Sequence, residues 1–84
     1  MTEETIRAFV RRAIEDIAPD ADLDALDPRA SLREELDLDS MDFLALVRAI
    51  HAALGVAIPE TDYAKIDSLD GCVAYVLRAL AAPA

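Results

Sequence analysis

Asp39-Ser40-Met41-Asp42-Phe43 sets one hydroxyl between two carboxylates, with apolar residues behind it. Such a serine could cap a helix, attack a substrate, or accept a group from another enzyme. Attack needs a base within hydrogen-bond reach. The only histidine is His51, eleven residues further along the same predicted helix. At a rise of ~1.5 Å per residue that is about 16 Å along the axis. A rigid helix cannot close the gap, so a Ser-His pair within this chain is excluded. We assign no catalytic residue and read His51 as a boundary residue between the two faces of its helix. The other candidate chemistry is metal binding at Asp20, Asp22 and Asp24. A calcium loop of the EF-hand type would also want glycine at its sixth position and glutamate at its twelfth. This chain has Ala25 and Ser31 there, so no metal site is expected. Cys72 is alone, which rules out an internal disulfide and a cysteine metal site.

The elements that position Ser40 read as helices. Ile6, Phe9, Val10, Ala13, Ile14 and Ile17 recur at helical spacing, which predicts an amphipathic helix over Thr2 to Ala18, ended by Pro19. Residues 19–38 read as a long loop with a short turn near Ser31 to Glu35, pinned to the core by Leu23, Leu26, Leu32 and Leu36. A loop of that length in a compact domain suggests function. The second helix starts at Asp39 or Ser40, both good caps, and runs to Leu54, where Gly55 stops it. Pro59 opens a short helix through Ile66. Asp67 or Ser68 caps the last helix, whose inner stripe is Leu69, Cys72, Val73, Val76, Leu77 and Leu80.

The second helix has two apolar faces. At about 100° per residue, Phe43, Leu46, Val47, Ile50 and Leu54 share one side, and Met41, Leu44, Ala45 and Arg48 share the other. If the first enters the core, the second is an exposed patch beside Ser40, of the kind that marks partner sites. Isolated exposed apolar residues are also ordinary.

Length and charge set outer bounds. Eighty-four residues, 55% of them apolar, make a single domain over residues 1–84. No apolar run approaches the ~20 residues of a membrane span. The polar, acidic start Met1-Thr2-Glu3-Glu4 is unlike a signal peptide, so a cytoplasmic chain is expected. Residues 15–42 hold eleven acids and only Arg29 and Arg33 as bases, so the whole net charge of −9 sits there. Such a surface repels nucleic acid and anionic membranes and draws basic partners. It equally suits a solvated loop that keeps a small protein in solution.

Leu36-Asp37-Leu38-Asp39-Ser40-Met41-Asp42-Phe43 resembles the attachment motif of acyl carrier proteins. Gly55-Val56-Ala57-Ile58-Pro59 resembles the loop after that family's second helix, and Ile66-Asp67-Ser68-Leu69 the entry to its last helix. The resemblance covers essentially the whole chain. It implies an all-α four-helix bundle of acyl-carrier type with a long first loop and a short third helix. It also implies that Ser40 accepts a 4′-phosphopantetheine arm from coenzyme A, with a phosphopantetheinyl transferase supplying magnesium and the base. The arm would hold acyl groups as thioesters for acyl-loading and acyl-processing enzymes, on a stand-alone, monomeric carrier that is not itself an enzyme. Asp39 would help the transferase engage, and Met41, Asp42, Leu44, Ala45 and Arg48 would complete the partner surface. The chain departs from the pattern in two places. Leu38 stands where many members have glycine. From Met41 to Leu54 there is one acid, Asp42, and one base, Arg48, where carriers of fatty-acid synthesis are usually strongly acidic. That points to a specialised lipid or secondary-metabolite pathway, and aspartate before Ser40 leans towards acyl over peptidyl carriers. The rival reading is an unmodified acidic binding module in which Ser40 is only a cap.

Overall fold

In the computed structural model, which describes residues 1–81, every regular element is helical. They are α1 (Glu3–Ile17), a single turn α2 (Leu32–Glu35), α3 (Ser40–Leu54), a 3₁₀ segment (Glu60–Ile66) and α4 (Leu69–Ala81). Thr2 caps α1, its side chain accepting from the Thr5 amide at 3.1 Å, and Glu3 and Glu4 occupy the first turn, where the helix dipole favours acids. Pro19 disfavours helical backbone at the residue before it, and α1 stops one residue earlier still, at Ile17. Gly55 ends α3 in the left-handed region at φ 69°, its amide bonded to the His51 carbonyl.

α1 packs against both α3 and α4, and the 3₁₀ segment lies on α4. Ile6, Leu32, Leu46, Ile50, Ile66 and Val76 are fully enclosed at the centre. Burying each such side chain contributes about 1.5–3 kcal/mol. Leu23 and Leu32 do pin the long loop into this core, while Leu26 and Leu36 are half-buried against it. Leu80, expected on the inner stripe of α4, is 40% exposed. It lies beyond Val76, the last buried residue of the helix.

The short third helix is 3₁₀ along its whole length. Pro59 opens it without a side-chain cap. It is pinned at three points. The Tyr63 ring meets Phe43 edge-on at 5.6 Å. Asp62 accepts from the Tyr75 hydroxyl at 2.7 Å. At its end the Lys65 carbonyl lies so near Gly71 that an added Cβ would come within 2.5 Å of it. A 3₁₀ segment rises ~2.0 Å per residue against ~1.5 Å for an α-helix. The Tyr75 hydrogen bond, together with Lys65, holds the Asp62 carboxyl below its usual range.

Candidate functional site

Two helix terminators set back to back place Ser40. α2 ends in a Schellman turn, with the Leu38 amide bonded to the Arg33 carbonyl at 3.0 Å and Asp37 between them at φ 52°. Glycine's freedom would therefore serve at Asp37, a residue type that tolerates the left-handed region. Leu38 needs no such freedom. It is buried in the same core cluster as Leu32.

Immediately after that turn Asp39 caps α3. Its carboxylate accepts from the Asp42 amide at 2.8 Å, and the Asp42 carboxylate reaches back to the Asp39 amide at 3.4 Å. This reciprocal capping box satisfies two donors at the helix start. Ser40 is thereby relieved of capping and becomes the first residue of the helix. Its side chain is exposed, and among the described residues its hydroxyl has no hydrogen-bond partner. The other two serines are occupied. Ser31 caps α2, accepting from Glu34 and donating to Asp67 at 2.6 Å. Ser68 accepts from the Gly71 amide at 3.0 Å at the start of α4.

Asp67 does not cap α4. It reaches across to α2, where its two carboxylate oxygens take the Ser31 hydroxyl and the Arg33 amide, and its carbonyl takes the Leu32 amide. With Ser31 it satisfies the amide donors that begin this one-turn helix. The Asp70 amide also bonds to the Pro28 carbonyl at 2.9 Å, so the end of the long loop is fastened to the start of α4. Sequence reasoning missed this clamp because the partners lie 36 residues apart and each serine and aspartate had a plausible local role.

The second face of α3 divides. Met41 is 69% exposed, and Ala45 and Arg48 are exposed beside it. Leu44, expected in the open, is half-buried. It turns into a groove of about 380 Å³ that Arg33, Ser40, Phe43, Glu60 and Tyr63 also line. His51 is exposed. The D-x-D-x-D run does not converge. Asp22 accepts from the Asp24 amide, and the Asp24 carboxylate pairs with Arg11 at 2.7 Å. Among the described residues there is no cluster of three or more possible metal ligands.

Ser40 thus presents an exposed, unengaged hydroxyl beside a partly apolar groove with one cation, Arg33. The family model for phosphopantetheine attachment sites matches residues 3–76. The chain is 32% identical over 75 residues to an acyl carrier protein of Rubrobacter xylanophilus, covering 86% of this chain and 93% of that one. The chain belongs to the acyl carrier protein family. An acyl carrier protein of Helicobacter hepaticus is 31% identical, over 89% of this chain and 92% of that one. Proteins of the acyl carrier family bear a covalently attached 4′-phosphopantetheine and work with a phosphopantetheinyl transferase and with acyl-processing enzymes. Among the described residues of this acyl carrier protein no helix is long and apolar enough to cross a membrane.

Proposed function

We propose that Ser40 is the attachment point of the phosphopantetheine arm and that the exposed face of α3 is where partner enzymes dock. The observation that carries this is the free hydroxyl: of three serines, Ser40 alone has no hydrogen bond within the described residues. In the transfer the Ser40 oxygen bonds to the phosphorus bearing the pantetheine part of coenzyme A. The bond from that phosphorus to the nucleotide part breaks, the nucleotide leaves, and the hydroxyl proton passes to a base on the transferase. We place that base on the partner, because His51 is about 16 Å away along the helix and the Asp39 and Asp42 carboxylates are engaged in the capping box. When attached, the arm supplies a terminal thiol that holds an acyl group and presents it to several active sites at high effective concentration.

Asp39 and Asp42 keep the helix start formed around Ser40. Met41, Ala45 and Arg48 offer a flat, weakly charged surface for docking, with Leu44 at its edge. This weak charge supports a carrier dedicated to a specialised lipid or secondary-metabolite pathway; the same proposal has it act as a monomer in the cytoplasm. Incubation with coenzyme A and a broad-specificity transferase should add the mass of one arm, mapped to Ser40. No gain with several transferases, or a gain mapped to Ser31 or Ser68, would falsify the assignment. Elongation of the loaded protein by fatty-acid-synthase enzymes as efficiently as their own carrier would sink the specialised reading alone.

A further inference from the structure

We propose that Arg33 pairs with the phosphodiester of the arm on Ser40 and draws the first part of that arm into the groove between α3 and the 3₁₀ segment. The inference rests on Ser40 being the attachment point.

Arg33 is one of only two bases in a stretch of eleven acids. The other, Arg29, lies 3.8 Å from Asp27. Among the described residues Arg33 has no carboxylate at ion-pair distance, although Glu34, Glu35 and Asp37 follow it closely in sequence. Its guanidinium lies over the Phe43 ring instead, 5.1 Å from the centroid. Phe43 is steadied in turn by its edge contact with Tyr63. An aromatic face holds a guanidinium in place while leaving its N–H donors unspent. Arg33 and Ser40 line the same groove.

A phosphodiester on Ser40 is a single negative charge with acceptor oxygens, the group an arginine fork matches best. Its other neighbours, Asp39 and Asp42, are carboxylates already engaged in capping each other's amides, and they repel it. The attraction is therefore directed to one side of α3, towards Arg33. Beyond the phosphate, Leu44 and the rings of Phe43 and Tyr63 suit the aliphatic part of the arm, and Glu60 can accept from its amide N–H groups. The base of the Arg33 side chain is fixed, because its amide donates to Asp67 and its carbonyl accepts from Leu38. These are backbone bonds, so changing the side chain leaves them in place.

The test compares the wild type, Arg33→Gln and Arg33→Lys by intact mass and by NMR, before and after loading with coenzyme A and a transferase. All three should gain one arm. In the wild type, loading should move the Arg33 side-chain signal and the Phe43 and Tyr63 ring signals, and raising the salt should reduce those shifts. In Arg33→Gln the ring shifts should fall by about half or more, the share that a single exposed ion pair can hold. Arg33→Lys should keep more of them than Arg33→Gln. A full mass gain with unmoved rings, or undiminished ring shifts in Arg33→Gln, overturns the role of Arg33 and leaves the attachment site intact. A wild type that gains no mass overturns the attachment reading and this inference with it.

Discussion

Ser31 and Ser40 both stand at the start of a helix, nine positions apart, with an acid three or two residues on. Ser31 is spent on structure: its oxygen receives the Glu34 amide and its proton goes to Asp67. Ser40 is spared, because Asp39 takes the capping position and moves the serine one place into the helix. A shift of one residue decides whether the same hydroxyl closes a helix end or faces outward uncommitted. The two helix starts also differ in reach. α2 is tied to the beginning of α4 through Asp67, whereas the side-chain bonds at the start of α3 run only between residues 39 and 42. The carrier end of the molecule is locally self-sufficient, and the long loop borrows its order from a distant element.

The sharpest break of this comparison is a set of three serine-to-alanine variants. Ser40→Ala should abolish loading while changing stability by less than about 0.5 kcal/mol, as expected for an exposed residue with no partner. Ser31→Ala and Ser68→Ala should load fully yet each lose about 1 kcal/mol, the usual cost of a lost cap. Intact mass and urea melts read both quantities; a large loss of stability in Ser40→Ala would show that its hydroxyl is structural after all. Next in size, Asp67→Ala should cost about 1–3 kcal/mol, since it strands the Ser31 hydroxyl and the Arg33 amide, and hydrogen exchange should quicken in α2 before α3. Equal quickening in both would deny that α3 is self-sufficient.

Met41→Glu should fold as the wild type and slow the transferase about tenfold, the loss of roughly 1.4 kcal/mol at one docking contact. Unfolding instead would mean that the faces of α3 are wrongly assigned. The smallest expected effect concerns the acidic loop. Of its crowded acids, Asp20 and Asp22 pair with no base among the described residues. Screening by salt should raise the melting temperature by a few degrees, and magnesium or calcium should raise it further at matched ionic strength. A melting temperature that ignores all three additions would leave the acids with solubility and steering alone.

Helix order and the core stripe of α3 were legible because both follow local rules. Phe43, Leu46, Val47 and Ile50 are buried as their spacing requires, and Pro19 and Gly55 mark ends. The carrier motif was legible too, because its residues are contiguous. What escaped was whatever depends on a distant partner. Asp67 looks like a local cap and is a long-range clamp. Leu44 looks exposed on a helical wheel, yet the 3₁₀ segment shelters it, and no wheel contains that neighbour. Leu38 looks like a departure from a glycine position until the turn shows that the left-handed residue is Asp37.

Cys72 lies fully enclosed on α4, and burial pushes its thiol up to about 12. At neutral pH it offers essentially no thiolate to a reagent. A molecule whose working sulfur is delivered later, on an arm, gains from keeping its own sulfur silent. It cannot snatch a cargo meant for the arm, and it cannot bridge to a second copy. A colorimetric titration of fast-reacting thiols on the folded protein then reads out, without separation, the fraction of molecules that carry a free arm.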